Sequence, residues 1–196
     1  MTELWLARHG ETEWTLSRQH TSVTDIPLTD DGRRQAGALG SRLGGESFDV
    51  VISSPALRAR STAELAGFAA SLEVDEDFRE WRYGEYEGVT TAEIRQTRPD
   101  WELWRDGCPG GEQLAEVVDR ADALVARLRE RAPSRALLFG HGHTSRVLAA
   151  RWMGLDGALG RHLVLGTATL SIVAVEHSHP AIVLWNDASH LSAGGT

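Results

Sequence analysis

Lysine does not occur in this sequence, so all 20 residues of the Lys and Arg class are arginine. The chain therefore lacks the key residue of a Walker phosphate loop, of a pyridoxal Schiff base and of a kinase contact to ATP. Each fixed basic charge is a guanidinium, whose planar fork suits paired contacts to phosphate oxygens. A GC-rich genome would explain the arginine excess equally well, so this absence excludes enzyme classes without identifying one.

Cysteine is almost absent as well, because Cys108 is the single example. One cysteine excludes an internal disulfide framework and suits a reducing compartment. A cysteine-dependent phosphatase loop would carry arginine six residues further on, where this chain has Leu114. We therefore expect Cys108 to be structural.

Long apolar runs and a basic surface are also missing. The N-terminal apolar stretch 4–7 reaches Arg8 too soon for a secretory segment, and no run approaches membrane-spanning length. A net charge of −8 and a pI near 5.5 disfavour a nucleic-acid or anionic-membrane partner. We expect a cytoplasmic protein with neither partner, and a homodimer is left open.

Strand and helix signals alternate along the 196 residues. We expect one domain over 1–191, followed by a flexible tail over 192–196. The predicted strands are 4–7, 50–52, 136–139, 169–175 and 181–185. The predicted helices begin at Thr29, begin at Ser54 as the cap with Pro55 in the first turn, and span 111–131 and 145–152. This alternation predicts an α/β fold, a three-layer α/β/α sandwich with a mostly parallel central sheet.

Unusual polar residues follow three of these strands. Arg8 and His9 end the first strand, Arg58 lies in a first helical turn after the second, and His141 follows strand 136–139. Because ligands bind at the carboxyl ends of such strands, the four side chains are expected to share one crevice. Singly, each is more often a structural histidine or a surface charge; together they indicate an anion site.

Six motif blocks occur in a fixed order along the chain. They are Arg8-His9-Gly10-Glu11-Thr12, Pro27-Leu28-Thr29 with Gly32, Ser53 to Ala59 with Thr62-Ala63, Glu80 with Tyr83-Gly84 and Glu87-Gly88, His141-Gly142 with Arg146, and Asn186-Asp187 with His190-Leu191. Together these blocks resemble the histidine phosphatase superfamily, the phosphoglycerate-mutase-like proteins. The resemblance spans about 3–191 and is nearest to the branch of acid phosphatases and sedoheptulose-bisphosphatase-like enzymes.

This resemblance implies a role for each catalytic residue. His9 is the expected nucleophile, Arg8 and Arg58 clamp the phosphate, and His141 is the second histidine of the pocket. Glu80 is the expected general acid. Fixed cations stabilise the charge of a phosphoryl transition state, and we expect a protonated His141 to contribute to it. His9 must be neutral to attack, and Glu80 must begin protonated before serving as the base for water.

Departures from the mutase pattern favour hydrolysis. Thr15 stands where mutases carry asparagine, and Thr21-Ser22 replaces Thr-Gly. The stretch from Glu80 to His141 is shorter than the lid-bearing insertion that shields a mutase intermediate from water. The residues expected to bind substrate are Gly10, Thr15, Thr21, Ser22, Arg82, Tyr83, Gly142 and His143.

The resulting hypothesis is a phosphatase for small phosphate monoesters, with sugar or polyol phosphates favoured, acting through phosphohistidine on His9 without cofactor or metal. A phosphoglycerate-type mutase and a non-catalytic phospholigand-binding module remain alternatives. Trp81, Trp101 and Trp104 form either a rim for the substrate or ordinary packing. A metal site at His141 and His143, or at His177 and His179, is disfavoured because neighbouring carboxylate or cysteine ligands are missing.

Overall fold

In the computed structural model, which describes residues 2–192, a six-stranded sheet lies between two layers of helices. The strands are β1 (Glu3–Arg8), β2 (Val50–Ser53), β3 (Leu72–Val74), β4 (Arg135–Gly140), β5 (Leu170–Glu176) and β6 (His179–Asp187). The α-helices are α1 (Glu13–Leu16), α2 (Asp30–Leu43), α3 (Leu57–Ala63), α4 (Thr91–Thr97), α5 (Leu103–Asp106), α6 (Leu114–Arg131) and α7 (Gly142–Trp152). A π-helical segment, Glu64–Phe68, continues α3, and 3₁₀ turns occupy Glu76–Phe78, Gly84–Tyr86, Gly157–His162 and Ser189–Leu191. The expected tail lies outside the described residues except for Ser192.

The strand order is β3-β2-β4-β1-β5-β6. The first four strands are mutually parallel, whereas β5 runs antiparallel to β1 and β6 antiparallel to β5. His177 and Ser178, at φ values of 46° and 72°, form the tight turn between the last two strands. The predicted mostly parallel sheet is confirmed, with the predicted closing strand pair at one edge.

Side chains alternate between the two faces of the sheet, which is why both faces are covered. On β1, Leu4 and Leu6 pack on the side of α6 and α7, while Trp5 and Ala7 pack on the side of α2 and α3. On β4, Ala136 and Leu138 point to the first side, and Leu137 and Phe139 point to the second. This period of two produces the three-layer α/β/α sandwich that the sequence predicted.

The predicted start of α3 is wrong. The helix begins at Leu57 with Ala56 as its N-cap, and Ala56 offers no capping side chain. The backbone of Ser54 still continues the hydrogen bonding of the sheet, because its N–H donates to the carbonyl oxygen of Phe139 at 3.0 Å. Its hydroxyl lies 2.6 Å from Nε2 of His141 instead of capping a helix.

Three other boundaries differ from the sequence prediction. α6 begins at Leu114, because Cys108 to Gly111 form a turn against Gly84, closed by the Gly111 N–H on the Cys108 carbonyl. α7 begins at Gly142, with His141 as its N-cap. β3 was not predicted, since an edge strand of three residues carries too little apolar pattern. Over residues 2–192, no helix is both long and apolar enough to span a membrane.

Candidate active site

The carboxyl ends of β1, β2 and β4 bring the predicted cluster together. These strands are parallel neighbours, so the residues that follow them lie along one edge of the sheet. The His9 N–H donates to the carbonyl oxygen of Gly140 at 2.9 Å, and the rings of His9 and His141 lie 5.3 Å apart. Arg58 enters from α3, with Nη2 at 3.3 Å from Nδ1 of His141.

His9 is held with one nitrogen free. Its Nδ1 lies 2.7 Å from the carbonyl oxygen of Gly10, and since a carbonyl can only accept, Nδ1 carries the proton and Nε2 the lone pair. Gly10 is required there, because an added Cβ would lie 2.5 Å from the Gly32 oxygen. Burial, and then the charges of Arg58 and Arg8, lower the pKa of His9 well below its usual value. The imidazole is therefore neutral and competent as a nucleophile.

His141 is neutral as well, in contrast to the expected imidazolium. It is fully buried; its Nδ1 accepts from Arg58, and its Nε2 donates to the hydroxyl of Ser54. Burial lowers the pKa of His141 well below its usual value, and Arg58, His9 and Arg8 lower it further. A second cation beside buried guanidinium groups is unfavourable, so the arginines carry the positive charge of the cluster.

Arg8 and Arg58 each have one buried N–H group without a hydrogen-bond partner. Arg58 is fully buried and donates to the carbonyl oxygens of Thr21, Ser22 and Thr24 at 3.1, 3.3 and 3.2 Å. Arg8 donates through Nη1 to the Leu165 carbonyl at 2.5 Å. Nε of each guanidinium is buried without a hydrogen-bond partner. An unsatisfied buried donor is costly, so these groups are suited to an anionic acceptor such as a phosphoryl oxygen.

Glu80 lies at the N-terminus of α7. Its carboxylate accepts the N–H groups of Trp81, His143 and Thr144 at 2.9, 3.0 and 2.9 Å. Burial raises the pKa of Glu80, but His143 and these N–H donors outweigh it, and the pKa ends below its usual value. Burial also lowers the pKa of His143, to about 3, against the opposing effect of the Glu80 charge. Glu80 is thus ionised, whereas the sequence analysis expected it protonated.

A cavity of about 480 Å³ opens above this cluster. Its lining includes the predicted residues Arg8, His9, Thr15, Thr21, Glu80, Tyr83, Gly142 and His143. Arg58, Gly10 and His141 lie behind its surface, where they hold His9 and the backbone around it. The hydroxyls of Thr15 and Thr21 donate to the carbonyl oxygens of Thr12 and Gln19, so both are already engaged.

Besides Gly10, two more of the predicted substrate-binding residues lie outside this cavity. Ser22 and Arg82 line a separate cavity of about 240 Å³ that shares only Glu80 with the first. The Ser22 hydroxyl bonds to the Glu87 carboxylate. The Arg82 N–H donates to Glu112 at 2.8 Å, and the Arg82 side chain is exposed. Ser22 and Arg82 thus line a different cavity from His9, and their role in substrate binding stays a prediction.

Some of the residues that line the cavity have no predicted role in the sequence analysis. Trp14 and Arg95 line it together with Trp101 and Trp104, which the sequence analysis considered for a rim. Arg95 lies on α4, far along the chain from the other site residues, and only tertiary folding brings it there. Trp14 was within reach of sequence reasoning, because it lies two residues after the Arg8 to Thr12 motif.

The cavity reverses the charge balance of the chain. Four arginines but only two carboxylates line it, although the chain holds 28 acidic and 20 basic residues. Such a cleft attracts anions by focusing the field of its cations. Over residues 2–192, no group of three or more His, Cys, Asp or Glu side chains is placed to hold a metal ion. The fold and this geometry together define a phosphoryl-transfer site on an α/β sandwich.

The chain belongs to the histidine phosphatase superfamily (branch 1), whose family model matches residues 4–188. Within that class it is a phosphoric monoester hydrolase. An acid phosphatase of Mycobacterium tuberculosis is 46% identical over 177 residues, which cover 89% of this chain and 87% of the relative. A sedoheptulose 1,7-bisphosphatase of Saccharomyces cerevisiae is 36% identical, over 76% of this chain and 67% of the relative. The solved structure of a Mycobacterium tuberculosis open reading frame superposes with a TM-score of 0.89 at 41% identity, covering 94% of this chain and 97% of the other.

Proposed function

We propose that this protein hydrolyses sugar or polyol phosphates in two steps, through a phosphohistidine on His9 and with Glu80 as the proton-transfer group. The observation that carries the proposal is the state of His9. Nε2 of His9 has a free lone pair. His9 lines the cavity beside Arg8, and Arg58 lies behind the cavity surface. A neutral nucleophile next to fixed cations is what attack on an anionic phosphoryl group requires.

In the first step, Nε2 of His9 forms a bond to phosphorus while the bond from phosphorus to the ester oxygen breaks. The leaving oxygen takes a proton from Glu80. Glu80 is ionised in the free protein, but the negative charge of a bound ester raises the pKa of a neighbouring carboxylate. The proton therefore enters with the monoanionic ester and passes through Glu80 to the leaving group.

In the second step, water attacks phosphorus and the bond between Nε2 and phosphorus breaks. Glu80, ionised again, accepts the proton of the attacking water, and inorganic phosphate leaves. Arg8 and Arg58 keep their positions in both steps, and their positive charge stabilises the negative charge that develops on the phosphoryl oxygens.

The walls of the cavity support a polyol as the leaving group. His20 donates through Nδ1 to the Val89 carbonyl at 2.7 Å, and burial lowers its pKa, so its Nε2 can accept from a hydroxyl. Trp104, which is only partly buried, supplies an apolar face on which a sugar ring can lie, and the buried Trp101 backs this part of the wall. The volume of about 480 Å³ exceeds the need of a single phosphoryl group. The name of one relative, a sedoheptulose 1,7-bisphosphatase, supports the same substrate class.

Hydrolysis is favoured over mutase chemistry because the cavity has little cover. Between Glu80 and α6, the described chain contains two short helices, α4 and α5, and no lid that is longer than these. The proposal extends to a cytoplasmic location without a nucleic-acid partner, on the grounds of charge and the single cysteine. A homodimer stays a prediction.

Covalent trapping tests the proposal. Mixing with ³²P-labelled sugar phosphate and quenching at alkaline pH, where phosphohistidine survives, should leave label on a peptide containing His9. His9→Asn should abolish the label, whereas His20→Asn should retain it because His20 lies on the wall. Label elsewhere, or full activity in His9→Asn, would refute the assignment. Transfer of the label to an added sugar in preference to water would identify a mutase, and tight binding without label a binding module.

A further inference from the structure

Arg120 is a buried cation of α6 that the proposed chemistry does not use. Its side chain is 5% exposed, and its Nε and Nη2 donate to the Glu112 carboxylate at 3.0 and 3.1 Å. Nη1 donates to the carbonyl oxygens of Asp77 and Arg79 at 2.8 and 2.7 Å. Nη2 also lies 3.2 Å from the hydroxyl of Thr144. The guanidinium thus joins α6, the segment before Glu80 and the first turn of α7.

Glu112 binds the same segment on the other side of Glu80. Its carboxylate accepts the Arg82 N–H at 2.8 Å, and its carbonyl oxygen accepts Nε1 of Trp81 at 2.9 Å. Arg120 holds the residues before Glu80, and Glu112 holds the residues after it. The pair therefore fixes the backbone of 77–82 from both directions.

Thr144 connects the pair to the Glu80 carboxylate itself. Its N–H donates to Oε1 of Glu80 at 2.9 Å, and its hydroxyl lies 3.1 Å from the same oxygen. Because the Arg120 guanidinium can only donate, the Thr144 hydroxyl accepts from it and directs its own proton to Glu80 or to the Arg79 carbonyl at 2.8 Å. A single hydroxyl thus separates the Arg120 charge from the carboxylate.

A buried ion pair is weak evidence for stability, since well-packed apolar side chains often serve as well. The contacts of this pair instead converge on the position of one carboxylate. We propose that Arg120 is a positioning residue that acts through Thr144 to fix the Glu80 carboxylate for proton transfer. This inference rests on the proposed role of Glu80.

The test compares Arg120→Met with Arg151→Met. Arg151 also joins α7 to α6, through Asp122 at 2.7 Å, but at the far end of the helix from Glu80. Each variant is assayed on a sugar phosphate and on p-nitrophenyl phosphate, whose leaving group needs little protonation. Since a displacement of 1 Å can cost about 100-fold, we expect Arg120→Met to lower kcat/KM on the sugar phosphate by about 10-fold and to spare the aryl ester. Arg151→Met should leave both values unchanged.

Two further measurements separate positioning from folding. One limb of the profile of kcat/KM against pH should disappear in Glu80→Gln. In Arg120→Met the same limb should move to higher pH, because weaker donors stabilise the ionised Glu80 carboxylate less. Thr144→Val should reproduce the substrate-dependent loss, Thr144→Ser should restore activity, and the effects of Arg120→Met and Thr144→Val should not add. If Arg120→Met does not fold, the comparison of Thr144→Val with Thr144→Ser gives the same test.

Equal losses on both substrates, an unmoved pH limb or additive effects would overturn the inference. The proposed function fails in a different way, because Glu80→Gln itself would then show no dependence on the leaving group. A substrate-dependent loss in Glu80→Gln that is absent in Arg120→Met would contradict only the positioning role.

Discussion

The base of the cavity and its outer wall are built in different ways. The base consists of residues at the ends of parallel strands, where main-chain bonds such as His9 N–H to the Gly140 carbonyl continue the sheet. Much of the wall comes from the segment 80–104, which forms a 3₁₀ turn, short helices and irregular chain, and Trp14 and His20 contribute to the rest. The base is fixed by the core of the molecule, whereas the wall depends on individual side-chain contacts.

This difference matches the two tasks of a phosphatase. The phosphoryl group is the same in every substrate, so its binding site can lie on the rigid sheet edge. The leaving group varies between substrates, and a wall built from turns and loops can change without disturbing the sheet. Glu80 lies on the boundary, since it belongs to the wall segment but is held by the first turn of α7. Proton transfer is therefore the function most exposed to changes in the wall.

The largest effect that distinguishes the two regions should come from Glu80→Gln. General acid catalysis contributes about 10²- to 10⁴-fold, so kcat/KM on sugar phosphates should fall by that range and that on p-nitrophenyl phosphate by far less. Glu102→Gln is the control, because Glu102 is the other carboxylate lining the cavity. A loss of equal size on both esters would remove Glu80 from the role of acid, and a selective loss in Glu102→Gln would transfer the role to that residue.

Arg58→Met tests the base. The charge of Arg58 acts on the transferred phosphoryl group, so the loss should be about 10²- to 10³-fold and similar for both esters, with weaker inhibition by vanadate. Arg60→Met, two residues further along α3, provides the control, because Nη2 of Arg58 lies 3.3 Å from Nδ1 of His141 whereas the structure shows no hydrogen bond between Arg60 and that ring. A loss confined to sugar phosphates would place Arg58 with the leaving-group machinery and would contradict the division between base and wall.

The smallest expected effect is that of mild acid on the nucleophile. Burial and the charges of Arg58 and Arg8 hold the pKa of His9 well below its usual value, so we expect His9 to remain neutral in mild acid, where an ordinary imidazole is protonated. After correction for ester ionisation, kcat/KM should change by less than about 3-fold from pH 6.5 to 5, where an ordinary imidazole would lose roughly 10-fold per unit. Proton NMR of the His9 ring, assigned with His9→Asn, should show no titration in this range; a midpoint near 6.5 would contradict the burial argument.

The same depressed pKa has a consequence for stability. In the unfolded chain His9 and His141 bind protons below about pH 6.5, while in the folded protein they stay neutral. The unfolded state therefore binds more protons, and the free energy of unfolding should decrease as the pH falls through this range. Urea titrations at several pH values would measure the slope.

The base could be predicted from sequence because each of its parts leaves a local signal. A short apolar run that ends in Arg8 and His9 indicates a strand end, and parallel strand ends meet at one edge. The wall gave weaker signals. Arg82 and Tyr83 are neighbours in sequence, yet Tyr83 lines the main cavity and Arg82 does not. Their contacts come from distant parts of the chain, because the Arg82 N–H donates to Glu112 across 30 residues and the Tyr83 hydroxyl lies 2.7 Å from Nδ1 of His143 across 60.

The sequence by itself determined the α/β fold, the family and the convergence of His9, Arg8, Arg58 and His141, because strand periodicity and motif order are local properties. Only the tertiary structure decided the protonation of the site. Burial and neighbouring charges make His141 neutral, and the first turn of α7 makes Glu80 ionised. The pKa of a group is set by all the groups within a few ångströms of it in space. In this protein, the residues that lie so near to one another come from most of the length of the chain.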